Sequence, residues 1–299
     1  MLSSLPAINR RLITPSLLFA LLAVFAAAAD RLQPRLVIAL KPDKNPELMA
    51  QERRTLADFL TQRLGRPVDI IIPLTSAVII EGMANGTIDL GYLSATDMVN
   101  ARKVGAADLL LAGEINGLPH YTSYWVALKE KPYQRIEDLR GKPIAFASRT
   151  STSGFVVPMW DLRQKGLLTT ADPEQFFGLN QVIYGSGYVS AIERVLSGQV
   201  EAAAVSYYVL DEDKHLSLEQ RGRLRMIASQ GPVPTHVIAV RASISAGERS
   251  TLRTALETLN QPEHHALRDQ LFTSRLITVD TDRHLSGLAS AIEFVSGAK

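Results

Sequence analysis

Short apolar runs alternate with amphipathic stretches along the chain, a pattern typical of strands and helices in an α/β protein. In the first half, a helical apolar face begins near Pro46 and ends at Gly65. A second, short helix begins at Thr75 or Ser76 and ends before Gly86. Because strands and helices alternate, we expect a mainly parallel sheet flanked by helices. The runs that fit strands are residues 36–40, 68–72, 88–93 and 109–112.

A second unit of the same kind follows in the middle of the chain. Residues 79–89 and 191–201 resemble each other, since each is a helix, a glycine stop and a strand that opens with an acid. We therefore predict two similar lobes, with residues 30–125 and 237–299 in lobe 1 and residues 126–236 in lobe 2. Strands are expected at residues 121–128, 144–147, 182–184, 200–205, 224–228 and 236–240, and helices at 94–102, 190–196, 207–216, 246–259, 264–272 and 283–295.

The first 29 residues have the pattern of a cleavable export signal. Arg10 and Arg11 precede an apolar run at residues 17–25, and small residues at 26–29 offer a cleavage site. The alternative is a retained membrane anchor, but the apolar run is shorter than the roughly 20 residues that span a bilayer. We therefore predict a signal peptide over residues 1–29 and a mature protein in the periplasm.

Composition narrows the class of protein. The chain has 299 residues, of which 46% are hydrophobic and 21% charged, which suits a globular protein of two domains. It contains no cysteine, which excludes disulfides, thiolate metal sites and lipid attachment at an N-terminal cysteine. Without the predicted signal, 30 basic and 30 acidic residues remain, so the charge balance argues against a nucleic-acid partner.

A turn rich in hydroxyl groups carries the most specific chemistry in the sequence. Ser151, Thr152, Ser153 and Gly154 follow an apolar strand and precede an apolar, helical run. The first N–H groups of a helix lack intrahelical partners and carry partial positive charge, so such a turn can hold an oxyanion. Serine and threonine are also ordinary helix caps. Pro158 leaves two alternatives open, a helix that begins near Ser153 or one that is kinked early.

Enzymatic and metal chemistry find little support in the sequence. Ser153 is a conceivable nucleophile for a hydrolase, but no G-x-S-x-G elbow surrounds it and no phosphate-binding loop of the G-x-x-x-x-G-K-[ST] type occurs. His264 and His265 are adjacent, and neighbouring residues on a helix point apart, so we predict no metal site. We also predict no cofactor.

Several segments together resemble the phosphate-, phosphite- and phosphonate-binding proteins of ABC importers, which have the type II periplasmic binding fold. The segments are residues 151–158, which carry the most specific motif, and residues 136–142, 56–67 and 86–93. The resemblance implies a binding protein rather than an enzyme, with an interlobe cleft for a small oxyanion and an ABC permease in the inner membrane as partner. It also implies a monomer, with Ser151, Thr152 and Ser153 as ligands and with Ser76, Leu93 and Ser94 contributed by the opposite lobe.

Other positions depart from the family pattern. Such proteins often have tyrosine where Ser76 and Leu93 align, histidine where Tyr188 stands, and an acid near Ser206 or Tyr208. We therefore expect that the oxyanion cradle is kept, that Tyr188 and Ser206 also bind the ligand from the cleft wall, and that specificity is altered in a way that disfavours aminoalkylphosphonates. Tyr188 alternatively serves packing alone. A further alternative keeps the fold and makes the protein a ligand-sensing partner of a membrane receptor.

Overall fold

Two β-sheets, each flanked by helices, organise the part of the chain that the computed structural model describes, residues 34–40, 46–212, 215–271 and 273–297. The predicted signal peptide lies outside these residues. The strands are β1 (Leu36–Ala39), β2 (Val68–Ile71), β3 (Leu90–Leu93), β4 (Ala107–Glu114), β5 (His120–Leu128), β6 (Ile144–Phe146), β7 (Val182–Tyr184), β8 (Ala202–Ser206), β9 (Leu224–Pro234), β10 (Val237–Arg241) and β11 (Arg275–Ile277).

The helices pack against the faces of these sheets. Short 3-10 turns lie at Ile136–Leu139, Thr258–Asn260, Pro262–His264 and Asp269–Leu271. The α-helices are α1 (Pro46–Leu64), α2 (Ser76–Asn85), α3 (Ala95–Lys103), α4 (Val157–Gln164), α5 (Glu174–Phe177), α6 (Tyr188–Leu196), α7 (Tyr208–Asp211), α8 (Leu218–Gly222), α9 (Ala246–Glu257), α10 (His265–Arg268) and α11 (Thr281–Ser296).

The sheet of the first lobe has the order β11-β4-β10-β3-β1-β2. Strands β1, β2 and β3 are parallel, β10 is antiparallel to both β3 and β4, and β11 is antiparallel to β4. Of these six described strands, four therefore run in one direction. The alternation of strands and helices predicted this shared direction. It did not predict that β10 lies between β3 and β4, because β10 begins at residue 237, where the chain comes back from the second lobe.

The sheet of the second lobe has the order β7-β6-β8-β5-β9. Strands β6, β7 and β8 are parallel, and β5 lies antiparallel between β8 and β9. The two-lobed α/β architecture expected from the sequence is thus confirmed, with mixed sheets in both lobes.

The chain crosses between the two sheets twice. One crossing lies between Glu114 and His120, and the other lies between Pro234 and Val237. The boundary predicted at residue 125 therefore falls inside β5, which pairs entirely within the second sheet. Helix α11 contacts α3 of the first lobe and α4 of the second, so it bridges both. The lobes as moving units stay a prediction.

Several predicted elements differ in length from those observed; strand β4 covers Ala107–Glu114 rather than 109–112, and the helix expected over 264–272 is reduced to α10 between two 3-10 turns. The helix expected over residues 207–216 is only α7, Tyr208–Asp211, since the backbone is already extended at Glu212. Strand β9 extends to Pro234, well beyond the predicted end at residue 228, since β5 pairs with it along its whole length. In the described residues, no helix combines the length and apolarity needed to cross a membrane.

Tertiary contacts decide how the hydroxyl-rich turn enters α4. The turn begins as a π-helical segment, Thr152–Val156, in which the Val156 N–H donates to the Ser151 carbonyl and the Val157 N–H to the Thr152 carbonyl. Pro158 has no N–H for the Gly154 carbonyl, which accepts instead from the Ala147 N–H at 3.1 Å. A wide first turn therefore accommodates the proline, and the helical path begins at Thr152.

Aromatic packing anchors the same turn to the core of the second lobe. The Phe155 ring packs edge-on against Phe146, with ring centroids 5.1 Å apart, and Phe146 in turn packs against Trp125. All three side chains are buried. Burying such rings is strongly favourable, so Phe155 draws the residues just before it towards the interior.

Candidate functional site

A small cavity of about 190 Å³ lies where the two lobes face each other. This is below the roughly 300–1,000 Å³ of pockets for drug-sized ligands, so the cavity suits a small ligand. The first lobe contributes residues at the end of β3 and near the two crossings, and the second lobe contributes the hydroxyl-rich turn and the starts of α6 and α7. The lining residues are Tyr92, Ser94, Ile115, Tyr121, Ala147, Ser148, Thr150, Ser151, Thr152, Gly187, Tyr188, Ser206, Tyr207, Tyr208, Glu212, His215 and His236.

The hydroxyl-rich turn presents a helix N-terminus to this cavity. Ser151 is the N-cap, and its Oγ accepts a hydrogen bond from the Gly154 N–H at 3.0 Å. Within the described chain, the N–H groups of Thr152 and Ser153 donate to no protein acceptor. Thr152 lines the cavity whereas Ser153 is fully buried, so the Thr152 N–H is left at a helix start for an external acceptor, which the helix dipole favours as an anion.

Thr152 joins the two lobes beside the cavity. Its Oγ1 lies 2.8 Å from the Thr96 Oγ1 of α3 and accepts from the Thr96 N–H at 3.3 Å. Both side chains are buried. Thr152 therefore lines the cavity as predicted, but its hydroxyl is engaged with the opposite lobe.

Ser153 does not line the cavity. Its side chain is 0% exposed, and its Oγ lies 2.6 Å from the Tyr188 hydroxyl and accepts from the Tyr121 hydroxyl at 3.2 Å. The adjacent Phe155 explains this inward placement, because the ring is anchored in the core. The described hydrogen bonds of Ser153 go to phenols and not to an imidazole, so they give no support to a serine nucleophile.

Ser206 and Tyr188, predicted on the cleft wall, both line the cavity. Ser206 is the last residue of β8, is 0% exposed, and its Oγ has no hydrogen-bond partner among the described residues. A buried hydroxyl without a partner costs free energy, so this position points to an acceptor or donor that enters the cavity. Tyr188 is half-buried and begins α6.

The first lobe supplies only one of its three predicted ligands. Ser94 lines the cavity and caps α3, since its Oγ accepts from the Asp97 N–H at 3.2 Å and donates to the Asp97 carboxylate at 2.6 Å. Leu93 is 0% exposed and packs in the core. Ser76 begins α2, where Thr75 is the cap, and this helix start lies outside the cavity wall.

Sequence reasoning missed several aromatic and polar residues of the wall. Tyr92 is buried and donates to the Leu271 carbonyl, yet its ring also lines the cavity and stacks on His236 with centroids 5.2 Å apart. A sequence signal for these residues exists, because ligands bind at the carboxyl ends of strands in such sheets. Three tyrosines lie at or just after strand ends, Tyr92, Tyr207 and Tyr208.

The cavity relies on neutral donors. Among the described lining residues there is no lysine or arginine, and Glu212 accepts a hydrogen bond from the Tyr207 hydroxyl at 2.8 Å. Burial, followed by this bond, raises the pKa of Tyr207, and burial raises the pKa of Tyr121 well above its ordinary value. Both phenols therefore remain protonated donors at neutral pH. Glu212 also supplies an acid, which the family pattern places nearer Ser206 or Tyr208.

Metal ligation is not part of this arrangement in the described chain. No group of three or more histidine, aspartate or glutamate side chains there is placed to hold an ion. The site is instead a set of hydroxyls and amides between two lobes, which is the architecture of a solute-binding protein.

The chain belongs to the family described as "ABC transporter, phosphonate, periplasmic substrate-binding protein", whose pattern matches residues 38–285. This confirms the resemblance found in the sequence. It also confirms the class, because the family consists of transporter substrate-binding proteins rather than enzymes.

Individual relatives agree with this family. The chain is 25% identical over 206 residues to a phosphate-import protein of Mycolicibacterium smegmatis, and the match covers 65% of this chain and 64% of that protein, slightly under two thirds of its length. Among solved structures, XAC2383 from Xanthomonas citri bound to chloride ion is 21% identical with a TM-score of 0.75, covering 88% of this chain and 98% of that one. PhnD1 from Prochlorococcus marinus in complex with methylphosphonate is 18% identical with a TM-score of 0.73, over the same shares of each chain. These structures share the fold.

Proposed function

We propose that the protein captures a small phosphorus oxyanion in the cavity between its lobes and presents it to an ABC permease in the inner membrane. Family membership supports the transport role. One relative is described as a phosphate-import protein, and one structural neighbour was solved with methylphosphonate. Both support a small phosphorus oxyanion as the class of ligand. Action as a periplasmic monomer belongs to the same proposal.

The ligand assignment rests on one observation. Hydrogen-bond donors on the cavity wall have no acceptor or partner within the described protein. The Thr152 amide belongs to a helix start on the cavity wall, and the Ser206 hydroxyl on the same wall has no partner in the described chain. Removing an anion from water is costly unless hydrogen bonds replace its hydration shell. Hydrogen bonds to a charged group contribute about 1.5–3 kcal/mol each, so about three to six of them are needed for the roughly 8 kcal/mol of micromolar binding.

The cavity also limits the ligand in size. Tetrahedral phosphate, phosphite and methylphosphonate each combine several acceptor oxygens with at most one small substituent. The Tyr92–His236 stack and the rings of Tyr207 and Tyr208 line the cavity together with the donors. We favour these three ligands over aminoethylphosphonate because Ser76, Leu93 and Tyr188 depart from the family pattern at positions that contact the phosphonate or its substituent.

Lobe closure completes the mechanism. The Thr96–Thr152 hydrogen bond joins the lobes directly on the cavity wall, which supports a mechanism in which the lobes close on the ligand. A ligand that contacts both lobes stabilises the closed state relative to an open one. The permease would then recognise the closed protein.

Calorimetric titration tests the ligand class. The protein is titrated with phosphate, phosphite, methylphosphonate and aminoethylphosphonate, and at least one of the first three is expected to bind. Ser206→Ala should weaken that binding about 10- to 100-fold, the loss of one hydrogen bond to a charged group. Ser197→Ala is the matched control, because Ser197 is exposed on the same lobe.

Two outcomes would overturn the proposal. The ligand class is wrong if all four compounds fail to bind while another class of solute does. The site is wrong if Ser206→Ala and the triple change of Ser151, Thr152 and Ser153 to alanine both retain full affinity. Ligand-dependent uptake by membrane vesicles that contain the permease separates transport from the alternative role of receptor sensing.

A further inference from the structure

We infer that the C-terminal helix α11 is a strap that holds the two helix starts of the cavity at binding distance, and that Phe294 is the positioning residue that anchors this strap to the second lobe. The inference rests on the proposed function and deepens it. It assigns control of ligand affinity to a side chain that does not touch the ligand.

Helix α11 packs against both helices whose starts reach the cavity. In the first lobe it contacts α3, which Ser94 caps. In the second lobe it contacts α4 and the π-helical segment Thr152–Val156, which Ser151 caps. None of the described residues of α11 lines the cavity between the lobes. The helix can therefore set the distance between the two helix starts without binding the ligand itself.

The first half of α11 is fixed by burial. Leu285, Leu288 and Ala291 are buried, and they belong to an apolar cluster that contains side chains of both lobes. An ion pair of 2.9 Å joins Asp282 to Arg102 of α3, but Asp282 is exposed, so this pair contributes little. Apolar packing thus holds this half of the helix in place.

The second half of α11 ends on an aromatic contact with the second lobe. The Phe294 ring packs edge-on against Trp160 of α4, with ring centroids 6.0 Å apart, and the guanidinium carbon of Arg163 lies 5.8 Å from the centre of the Phe294 ring. Phe294 and Trp160 are both half-buried. Edge-to-face rings attract each other beyond the area that they bury, so one substitution at Phe294 removes a defined contact of the strap.

A second cavity separates α11 from the two crossings of the chain. It has a volume of about 550 Å³ and is lined by Pro119 and Pro234 beside the crossings and by His284 and Leu288 of α11. Closely packed interiors resist displacement, whereas a void of this size leaves the crossings room to bend. A bend there would change the angle between the lobes and pull α4 away from Phe294.

Ligand binding and the Phe294 contact favour the same arrangement of the lobes. The cavity needs residues of both lobes, and the Phe294–Trp160 contact is made in the arrangement that forms the cavity. Loss of the contact would lower the population of this arrangement, and the observed affinity would fall by the same factor. Because the effect acts through the lobes, it should be equal for every ligand of the cavity.

The first lobe contains a matched control for Phe294. Phe59 of α1 is also half-buried, packs edge-on against His264 with ring centroids 4.6 Å apart, and has the Arg63 guanidinium carbon 5.3 Å from its ring centre. These neighbours all belong to the first lobe. Phe59→Ala therefore removes a similar aromatic contact that does not join the lobes.

Calorimetry with inorganic phosphate and with methylphosphonate tests the inference. Phe294→Ala should weaken both by the same factor, about 3- to 10-fold, which corresponds to the loss of one aromatic pair. Phe59→Ala should leave both affinities unchanged, although thermal melting should show a lower stability in each variant. Phe294→Leu keeps an apolar side chain against Trp160, so it should lose less affinity than Phe294→Ala and fold even if the alanine variant does not.

Small-angle X-ray scattering without ligand provides a second readout. Phe294→Ala should have a larger radius of gyration than the natural protein and than Phe59→Ala, because the strap no longer limits the opening of the lobes. Saturating phosphate should return the radius of gyration to the natural value. A purely structural role of Phe294 would change the melting temperature but not this radius.

The possible results separate the inference from the proposed function. If the natural protein binds neither oxyanion, the proposed function fails, and the scattering without ligand still decides whether α11 restrains the lobes. In a protein that binds, full affinity in Phe294→Ala would contradict the inference, and so would an equal loss in Phe59→Ala. An unchanged radius of gyration in Phe294→Ala without ligand would also overturn it.

Discussion

At the scale of single residues, a side chain's neighbours in the fold decide its role more than its type does. The three hydroxyls of the predicted cradle have three different fates. Ser151 caps the helix at the cavity, Thr152 bonds to Thr96 of the opposite lobe, and Ser153 points into the interior. The type of residue predicted hydrogen bonding, and contacts distant in the sequence decided where each hydroxyl points.

Gly154 gives a prediction at this scale. A Cβ at this position would lie 2.4 Å from the Ala147 Cβ, 2.8 Å from the Ser151 Oγ and 3.2 Å from the Tyr188 ring. Gly154→Ala should therefore shift the hydroxyl-rich turn and lower the free energy of unfolding by about 1–3 kcal/mol, as overpacking does. Urea denaturation measures the stability, and calorimetry should show weakened oxyanion binding.

Gly222→Ala is the matched control for Gly154→Ala. A Cβ at Gly222, in α8 of the same lobe, would meet no atom within 4 Å. This variant should retain both stability and binding. If the two variants had the same free energy of unfolding and the same affinity, the close approach at Gly154 would contribute to neither.

At the scale of elements, the sequence placed helix starts well because caps are local signals. Ser94 caps α3 and Ser151 caps the segment that leads into α4, and both helix starts reach the cavity. The sequence left the path near Pro158 open. In the structure, the Ala147 N–H donates to the Gly154 carbonyl, which Pro158 leaves without a helical donor. This contact joins residues that a local sequence pattern does not relate, so the sequence could not decide where the helical path begins.

The caps of two helices provide a matched pair of variants. Ser94 caps α3 at the cavity, and Ser245 caps α9 in the same lobe outside it, each by accepting from a backbone N–H at 3.2 Å. Ser94→Ala and Ser245→Ala should each destabilise the protein by about 1 kcal/mol. Only Ser94→Ala should also weaken oxyanion binding, because only α3 begins at the cavity.

Thermal melting and calorimetry on both variants distinguish the two effects. A loss of affinity in Ser245→Ala equal to that in Ser94→Ala would mean that binding merely follows global stability. If Ser94→Ala kept full affinity, the start of α3 would not contribute to oxyanion binding.

At the scale of the whole molecule, two crossings and the bridging helix α11 set the lobes face to face, and the site exists only in that arrangement. The hydroxyl-rich turn belongs to one lobe and Tyr92, Ser94 and His236 to the other. Alternating strands and helices predicted two sheets. The strand return at β10 that brings His236 to the cavity is a long-range pairing.

The Thr96–Thr152 bond gives a prediction about lobe closure. Thr96→Val keeps the shape of the side chain and removes the hydroxyl that lies 2.8 Å from Thr152. Without this bond the closed state should lose about 0.5–1.5 kcal/mol relative to an open one, which weakens binding about 2- to 10-fold. Small-angle X-ray scattering should show a larger radius of gyration at subsaturating ligand.

Thr251→Val serves as the control for lobe closure, because Thr251 lies on α9 and bonds only within its own helix. It should change neither the radius of gyration nor affinity. Unchanged scattering and affinity in Thr96→Val would exclude this bond as a contribution to closure.

The sequence by itself determined the strands, most helix starts, the two-lobed class and the position of the helix start at Ser151, because periodicity and caps act over a few residues. Tertiary structure decided which groups reach the cavity. Ser206, Tyr188 and Tyr121 are far apart in the chain, and packing alone brings them to one wall while it turns Ser153 inward. Burial of a hydroxyl depends on such distant neighbours, so no local pattern could have revealed it.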